Sequence, residues 1–429
     1  MTIADLVTGV FGEDLPIGLE AYDGSRAGPA DPPATLVVKS PDAVRRLLTA
    51  PGDLGFGRAY VAGDLDIEGD LFAALELRSH FAGFHFDREQ WMNAIRLATA
   101  GGVLHRPPIP KEEVHLRGRR HSQARDAAAI AHHYDVSNDF YRIVLGPSMT
   151  YSCGVWSSPD VGLEAAQAAK YELISQKLDL KPGMRLLDVG CGWGGMVMHA
   201  AQHHGVRAVG VTVSRRQADL AAKRVAEAGL SDRVEIRLQD YRDIHDGPFD
   251  AISSIGMFEH VGLSQLETYF DQLYALLLPE GRLLNHAISR PAAPKGKTRS
   301  RFKKLSFIDR YVFPDGELHE VGSVVSAIQR RGFEARHVES LREHYALTLR
   351  AWVKNLEADW DRAVALVGIG RARVWRLYMA ASAVTFEEGS NQIHQVLAVK
   401  ANGGKSGMAL RPVFHEYPVP RHENPVQLV

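Results

Sequence analysis

This 429-residue chain has only two cysteines, almost no net charge and no long apolar run. Its two cysteines, Cys153 and Cys191, are too few for a disulfide framework, which favours a reducing compartment. The 50 lysines and arginines balance 51 aspartates and glutamates, so nucleic acid is not expected as a partner. No window reaches the roughly 18 uncharged apolar residues of a spanning helix, and no basic segment opens the chain as in a secretory signal. We therefore expect a cytoplasmic protein that meets membranes only at their surface.

The composition, 45% hydrophobic and 24% charged, is typical of a globular protein of this length with two or three domains. Residues 1–105 form the first predicted domain, of α+β type, whose start is punctuated by proline and glycine. Residues 106–126 are rich in proline and charge, which predicts an exposed linker. Residues 127–400 form the second and larger predicted domain. The tail 401–429 has glycines and scattered prolines, and we expect it to be mobile or to pack irregularly on the surface.

The second domain alternates apolar strands with amphipathic helices. The predicted strands are 186–190, 208–213, 234–238, 249–255 and 282–288, and the helices beside them are 163–178, 194–204, 215–228 and 263–278. Further helices are expected from Val321, Glu343 and Ile369, and further strands at 333–340 and 392–400. Such alternation predicts an α/β fold with a parallel sheet, helices on both faces, and ligands at the carboxyl ends of the strands.

The first domain carries a stretch that resembles a calcium loop only superficially. Residues 56–70 combine glycines with acidic side chains but lack the residue order and the final glutamate of an EF-hand. We interpret them as a turn followed by a helix from Leu71. Residues 36–38 are predicted to form a short strand and residues 41–49 a helix.

The segment L-L-D-V-G-C-G-W-G-G, residues 186–195, organises the second domain. Gly190, Gly192 and Gly194 let the backbone turn sharply and approach a ligand closely. The spacing is not G-x-G-x-x-G and no Gly-Lys-Ser/Thr follows, so neither a dinucleotide fingerprint nor a phosphate loop is predicted. With Asp188 in the strand before it, the turn resembles the S-adenosylmethionine (SAM) loop of class I methyltransferases.

Polar side chains follow the neighbouring strands, where a bound nucleoside would lie. They are Thr212 and Gln217 after the second strand, Gln239 and Asp240 after the third, and Tyr151 and Ser152 upstream. A carboxylate or amide after the third strand can bind the amino edge of adenine. The second strand ends without the acidic residue that many nucleotide-binding folds use for ribose. Taken singly, each of these residues is better explained by ordinary turn chemistry.

Three residues further along the chain are candidates for the chemistry itself. Glu259 follows the fourth strand among apolar neighbours, so partial burial would perturb its pKa. His286 lies within an apolar strand, where a core histidine is the commoner interpretation. Tyr345 is similarly ambiguous between packing and function.

Nucleophilic cysteine and metal chemistry are not favoured. Nothing near Cys153 in sequence activates its thiol, so a buried, inert thiol is expected. The adjacent histidines at 132–133 and 203–204 cannot share one helix face, so no metal site is predicted.

A basic segment, K-G-K-T-R-S-R-F-K-K at 295–304, has six basic residues in ten positions. It can be a solvated loop, or it can bind anionic lipid headgroups, to which each basic residue contributes about 1 kcal/mol. The sequence leaves both interpretations open.

Taken together, seven motifs resemble the cyclopropane-fatty-acyl-phospholipid synthases. They are H-Y-D-V-S-N-D-F-Y, M-T-Y-S-C-G-V-W, L-L-D-V-G-C-G-W-G, G-V-T-V-S-x-x-Q, S-I-G-M-F-E-H-V-G, L-L-N-H-A-I-S and Y-V-F-P. The resemblance covers residues 127–400 and, less sharply, a lipid-binding N-terminal domain. It implies a Rossmann-like SAM-dependent enzyme that acts on the cis double bond of an acyl chain in membrane phospholipid, bound peripherally to the anionic membrane surface. It also leads us to expect a homodimer.

The resemblance assigns roles to individual residues. It implies a bicarbonate ion bound by the backbones of Cys153 and Ile288 and by the side chains of Glu259, His286 and Tyr345. The SAM contacts that it implies, together with Asp188 of the loop, are Tyr151, Ser152, Gly190, Gly192, Thr212, Gln217, Gln239 and Asp240.

The expected reaction leaves a carbocation on the acyl chain, which requires a dry channel, aromatic faces and one base. The aromatic residues expected to line it are Tyr134, Tyr141, Tyr151, Trp156, Trp193, Phe258 and Tyr269. Proton loss from the transferred methyl closes a cyclopropane ring, whereas loss after a hydride shift gives a methylene branch. Two other hypotheses remain, a small-molecule SAM methyltransferase and a catalytically silent lipid- or SAM-binding protein.

Overall fold

The structure is a computed structural model, which describes residues 2–76, 92, 106–114, 137–292, 306–314 and 316–414. The chain divides into two compact units. The first comprises Met1–Arg117, Gly296–Pro314 and Leu356–Thr385, and the second comprises Gly118–Lys295, Asp315–Asn355 and Phe386–Val429. Two segments from the later part of the sequence therefore pack with the N-terminal residues.

The helices and strands have the following bounds. The helices are α1 (Ile3–Phe11), α2 (Pro41–Thr49), α3 (Asp53–Ala62), α4 (Leu71–Glu76), α5 (Asn138–Leu145), α6 (Leu163–Leu178), α7 (Gly195–His204), α8 (Arg215–Glu227), α9 (Leu266–Leu276), α10 (Phe307–Tyr311), α11 (Val321–Arg330), α12 (Arg342–Ala358), α13 (Trp360–Val367) and α14 (Ile369–Glu387). The strands are β1 (Gly18–Ala21), β2 (Arg26–Ala27), β3 (Ala34–Val38), β4 (Leu65–Gly69), β5 (Arg185–Val189), β6 (Arg207–Thr212), β7 (Val234–Leu238), β8 (Phe249–Ile255), β9 (Leu277–Ser289), β10 (Glu334–Ser340) and β11 (Gln392–Val399).

The first unit contains a four-stranded mixed sheet in the order β2-β1-β3-β4. The strand predicted at 36–38 and the helices predicted at 41–49 and from Leu71 are confirmed as β3, α2 and α4. The turn predicted at 56–70 is wrong, because α3 and β4 occupy most of it. Glycine lowers helix propensity by about 1 kcal/mol, so the glycines of α3 obscured a helix that tertiary packing stabilises.

Tyr311 of α10 is fixed in the first unit through Glu113. The buried Glu113 carboxylate accepts two hydrogen bonds from Arg58, at 2.7 and 2.8 Å, and one from the Tyr311 hydroxyl at 3.2 Å. Phe307, at the other end of α10, packs its ring against Gly57 of α3. These contacts explain why a segment so late in the sequence belongs to the first unit.

The second unit is built on a seven-stranded sheet in the order β10-β11-β9-β8-β5-β6-β7. The five strands from β9 to β7 are parallel, as predicted, so their carboxyl ends share one edge. The last two strands, β11 and β10, run antiparallel and extend the sheet beyond β9. The α/β fold class with a Rossmann-like sheet is therefore confirmed, with an antiparallel extension that the alternation of elements did not indicate.

Both faces of this sheet are covered. On one face, Leu187 and Val189 of β5 pack with apolar residues of α9 and α11. On the other, Leu186 packs with apolar residues of α6 and α7. The alternation along β5 thus places successive side chains in two separate cores. Asp188 lies on β5 two residues before Gly190, the first glycine of the turn.

Some sequence predictions fall on other parts of the chain. The helix at 127–132 and the basic segment 295–304 lie outside the described residues, as does most of the linker. The described part of the tail, 401–414, has turns and one isolated bridge between Asn402 and Lys405. Within the described residues, every helix is too short or too polar to cross a membrane.

The contact between α3 and α10 makes Gly57→Ala destabilising. A Cβ at Gly57 would lie 2.2 Å from the Phe307 ring, and such overpacking costs about 1–3 kcal/mol. Gly9→Ala in α1 is the matched control, because a Cβ there meets nothing within 4 Å. It should stabilise the chain by up to about 1 kcal/mol. Urea unfolding of the full chain measures both changes, and equal stabilisation by both would contradict the packing described.

Candidate active site

The glycine turn after β5 has the predicted sharp geometry. Gly190, Gly192 and Gly194 all have positive φ, at 80°, 55° and 84°. The amides of Gly190 and Cys191 both donate to the Val211 carbonyl at 3.0 Å, which ties the turn to the end of β6. A Cβ at Gly190 would approach the Met257 side chain to 2.7 Å, so glycine is required there by space as well as by conformation.

One cavity lies over this turn, at the carboxyl ends of the parallel strands. All nine residues predicted to bind SAM line it, namely Tyr151, Ser152, Asp188, Gly190, Gly192, Thr212, Gln217, Gln239 and Asp240. Several other residues that line the cavity were not predicted, among them Met149, Tyr241, Arg242, Met257 and Gln265. The cavity therefore brings together side chains from five different segments of the second unit.

The polar groups of the cavity are held by bonds to one another. The buried Asp188 carboxylate accepts a hydrogen bond of 2.7 Å from the Ser253 hydroxyl, and burial raises the pKa of Asp188 to about 6. The Thr212 hydroxyl donates to the side-chain oxygen of Gln217 at 2.8 Å. This bond fixes the side chain of Gln217 at the wall of the cavity that it lines.

Asp240 is held by an ion pair. Arg242 donates to its two carboxylate oxygens at 2.8 and 2.6 Å. Burial raises the pKa of Asp240, but the bonds from Arg242 outweigh it and hold the pKa below its ordinary value. The carboxylate therefore stays ionised and fixed at the end of β7.

Glu259 contacts Ile288 where β8 and β9 end, and His286 on β9 lies opposite Ile255, the last residue of β8. Glu259 lies in a short turn of 3-10 helix after β8, and the Ile288 amide donates to its Oε1 at 2.7 Å. His286 lies two residues before Ile288 on β9, and its Nδ1 is 3.1 Å from the side-chain nitrogen of Gln395. Within the described residues, Glu259 Oε2 and His286 Nε2 are buried atoms without a hydrogen-bond partner.

Burial sets the protonation states of this pair. It raises the pKa of Glu259 to about 7, against the lowering effect of the Ile288 amide. It lowers the pKa of His286 well below its ordinary value, and the positive charges of Lys170 and Lys177 act in the same direction. At neutral pH His286 is uncharged, and Glu259 is close to its midpoint.

Cys153 and Tyr345 meet on a neighbouring part of the site. The Cys153 thiol lies 3.7 Å from the carbonyl of Leu341, the residue before α12, and burial raises its pKa far above the ordinary value. This agrees with the expectation of an inert thiol. Tyr345 on α12 is buried, and its ring contacts Trp352 at 6.0 Å, which in turn stacks on Tyr151 at 5.2 Å. Neither residue lines the SAM cavity, but Trp352 connects Tyr345 to it.

Lys170 is a site residue that sequence reasoning missed. Its side chain is fully buried, its Nζ donates to the Ser152 hydroxyl at 2.7 Å, and burial lowers its pKa to about 7. Its charge acts on Cys153 and on His286, so it lies between the two parts of the site. The sequence could have indicated this, because three polar residues of α6 are spaced so that they share the buried face of the helix. They are Gln167, Lys170 and Lys177, at i, i+3 and i+10.

The predicted aromatic residues form separate groups. Tyr141 lies 6.0 Å from Tyr151 and 4.8 Å from Trp193, ring centre to ring centre, beside the SAM cavity. Phe258 and Tyr269 pack on each other at 5.8 Å within the core. Trp156 donates to the Thr348 hydroxyl at 3.0 Å, and Tyr134 lies outside the described residues.

A histidine cluster occurs away from this site, although the sequence predicted no ligand set at His203–His204. The Glu172 carboxylate lies 3.0 Å from His204 Nε2 and 3.4 Å from His199 Nε2, close enough for the three groups to hold one cation. His199, earlier on α7, supplies the second imidazole, and the absence of a bound metal stays a prediction. The hydrogen bonds, that with His199 first, lower the pKa of Glu172 to about 2.

Glu259→Gln should gain stability relative to the native protein as the pH rises. A carboxyl whose pKa is raised on folding favours the folded state fully below its unfolded pKa of 4.5, and this contribution is lost as the pH rises through about 7. Between about pH 5 and pH 8, the difference in unfolding free energy should shift toward the variant by about 2–3 kcal/mol. Urea unfolding across this range measures it, with the exposed Glu267→Gln as control. A flat difference would contradict the burial of Glu259.

Comparison with known proteins identifies the family. The family model described as mycolic acid cyclopropane synthetase matches residues 121–396. A probable fatty acid methyltransferase of Mycobacterium tuberculosis is 47% identical over 411 residues, which cover 92% of this chain and 94% of the relative. The cyclopropane-fatty-acyl-phospholipid synthase of Escherichia coli K12 is 35% identical over 392 residues, which cover 90% of this chain and 93% of the relative.

Solved structures agree with these relatives. The cyclopropane synthase MmaA2 of Mycobacterium tuberculosis is 33% identical with a TM-score of 0.61, and the match covers 65% of this chain and 99% of that one. The mycolic acid cyclopropane synthase CmaA1, solved with S-adenosylhomocysteine, is 35% identical with a TM-score of 0.60, covering 64% and 98%. The chain belongs to the mycolic acid cyclopropane synthetase family and is a SAM-dependent methyltransferase.

Proposed function

We propose that this protein transfers a one-carbon unit from SAM to the cis double bond of an unsaturated acyl chain in membrane phospholipid. The observation that carries the proposal is the cavity lined by all nine predicted SAM contacts, beside which Glu259 lies in sequence between the lining residues Met257 and Val261. The Escherichia coli relative is named for a phospholipid substrate, which supports the same class of acceptor. SAM supplies an electrophilic methyl group, and this chain supplies the surroundings in which an alkene can attack it.

An alkene is a weak nucleophile, and its attack on a sulfonium methyl leaves a carbocation on the acyl chain. Water would capture such a cation, so the residues around it must exclude solvent. Tyr141, beside the SAM cavity, is inaccessible to solvent, and Tyr345 is only 6% exposed. Aromatic faces also stabilise positive charge. These side chains meet both requirements of the reaction.

The cation must then lose a proton, and neither Cys153 nor His286 is suited to remove it unaided. The Cys153 thiol stays protonated, and a lowered pKa makes the His286 imidazole a weak base. Within the described residues, Glu259 Oε2 and His286 Nε2 are buried atoms without a partner, and we infer that both bind one small anion carrying its own proton. A bicarbonate ion held there would supply the base. Glu259 and His286 would bind it directly, with Tyr345 and the backbones of Cys153 and Ile288 as the other predicted contacts.

The Ile288 amide has a more specific role. It donates to Glu259 Oε1, which leaves Oε2 as the oxygen free to accept the proton of the anion. A carboxylate facing an anion is repelled unless a proton is shared between them, and a Glu259 pKa of about 7 favours such sharing. Glu259 thereby orients the anion and does not itself attack the acyl chain.

A methylene branch is the alternative product. Two relatives, of Mycobacterium tuberculosis and Pseudomonas putida, are named probable fatty acid methyltransferases, a description that does not specify a ring. Ring and branch differ in whether a hydride shifts along the acyl chain before the methyl proton leaves, so the same base serves both outcomes. Binding to an anionic membrane surface through the basic segment 295–304, and assembly as a homodimer, stay predictions.

Purified protein with SAM should add one CH2 group to the acyl chains of vesicles containing dioleoyl phosphatidylglycerol. Mass spectrometry of the extracted lipid measures the gain, and gas chromatography of the methyl esters separates ring from branch. Glu259→Gln should lower the rate by roughly 100-fold or more, because it removes a group that holds the base. Glu267→Gln, at an exposed position, is the control.

Dioleoyl phosphatidylcholine vesicles and free oleate provide the comparison substrates. A faster reaction on the anionic vesicles supports the prediction that the protein binds an anionic membrane surface. No mass gain in any unsaturated lipid would refute the proposal, and turnover of soluble amines instead would favour a small-molecule methyltransferase.

Bicarbonate dependence tests the identity of the anion. In buffer freed of carbon dioxide, the rate should fall by about 10-fold and return when bicarbonate is added, since a positioned base contributes about 100-fold or more when fully occupied. His286→Gln should respond much less to the addition. Equal rates with and without bicarbonate would exclude it as the bound base.

A further inference from the structure

A buried chain of side chains leads from the surface of the second unit to His286. Gln395 of β11 lies directly opposite His286 of β9 in the antiparallel pairing. The Lys177 ammonium donates to Gln395 Oε1 at 2.7 Å, and Gln395 Nε2 lies 3.1 Å from His286 Nδ1. All three side chains are inaccessible to solvent, so water cannot replace these bonds.

The lysine determines which way the amide points. An ammonium group has three donors and no acceptor, so only the oxygen of Gln395 can face it. The amide nitrogen must then face His286 and donate to Nδ1. A neutral imidazole carries one proton, and an Nδ1 that accepts a hydrogen bond is bare. The proton of His286 therefore resides on Nε2, the atom that has no partner within the described residues.

We propose that Gln395, oriented by Lys177, is a positioning residue that fixes His286 as the Nε2–H tautomer, so that the imidazole donates to the anion in the active site. This inference rests on the proposed function for its effect on catalysis, but the tautomer itself follows from the hydrogen bonds. A residue able both to donate and to accept in place of Lys177 would leave the amide free to rotate.

Glu339 makes the buried lysine tolerable. Its carboxylate forms an ion pair with Lys177, and its side chain is 36% exposed, so the pair reaches solvent at one end. An unpaired buried ammonium would lose its proton or destabilise the fold, and the deprotonated amine could then accept a hydrogen bond. Burial lowers the pKa of Lys177, and the charge and hydrogen bond of Glu339 oppose that effect, so Glu339 favours the ammonium form that can only donate toward Gln395.

The test is Gln395→Glu, with Gln392→Glu on the same strand as the matched control. A glutamate at position 395 can only accept, so it draws the imidazole proton to Nδ1. Nitrogen NMR of histidine-labelled full-length protein, with His286→Gln to assign the signal, should show a bare Nδ1 in the native enzyme and in the control. It should show a protonated Nδ1 in Gln395→Glu.

Activity provides the second readout. In Gln395→Glu, Nε2 keeps a proton only while the imidazole is doubly protonated, so activity should fall as the pH rises. Glu259, Lys170, Lys177 and His394 also lie near His286 and titrate in both proteins, so the ratio of variant to native kcat is the useful quantity. Between about pH 6 and pH 9 the ratio should fall by at least roughly 100-fold, since an incorrect tautomer is severely inactivating in other enzymes. The KM values for SAM and lipid should change little.

Lys177→Met is a second variant, which frees the amide to rotate and should give both tautomers of His286. A protonated Nδ1 in the native enzyme would overturn the inference. So would a bare Nδ1 in Gln395→Glu, or a proton moved to Nδ1 with no change in the pH profile. If the native enzyme transfers no methyl group to any lipid, the proposed function fails, while the NMR result still decides the tautomer.

Discussion

Burial of ionisable side chains near the strand ends of the seven-stranded sheet is the constraint on which the site depends. Lys170, Lys177, Asp188 and His286 are all essentially inaccessible to solvent. Removing a charge from water costs several kcal/mol unless a partner compensates it. The structure provides partners, Ser152 for Lys170 and Glu339 for Lys177, so the charges are tolerated without being stabilising. A helix such as α6, which presents two lysines to a core, is better explained by chemistry than by stability.

The same absence of water serves the reaction. It keeps the imidazole of His286 neutral and brings the pKa of Glu259 to about 7, so that a proton can be shared near neutral pH. In the proposed reaction, the absence of water would also protect the carbocation from capture. In a solvated site, Glu259 would be ionised at neutral pH and water would react with the proposed cation. Exclusion of water therefore shifts the pKa values of Glu259 and His286, and the proposed reaction depends on the same exclusion.

The parallel part of the fold could be predicted from the sequence, because alternating strands and helices imply parallel strands whose carboxyl ends share one edge. The family resemblance assigned Thr212, Gln239 and Gly190 to SAM, and all three line the cavity at that edge. The remaining site residues could not be found in this way. Gln395 follows His286 by 109 positions and meets it only through an antiparallel pairing that local patterns do not encode. Lys170 appeared as an ordinary surface lysine of an amphipathic helix, although its spacing from Gln167 placed it on the buried face.

Different elements of the second unit supply the SAM cavity and the residues around His286. Strands β5 to β8 form the parallel core that any SAM-binding fold of this class requires, and they supply the cavity. The antiparallel strand β11 supplies Gln395 beside His286, and α12 supplies Tyr345 near Cys153. The extension thus adds Gln395 and Tyr345 to a part of the site whose Glu259 and His286 come from the parallel strands β8 and β9. A single helix, α6, contacts both parts, because Lys170 donates to Ser152 of the SAM cavity and Lys177 donates to Gln395.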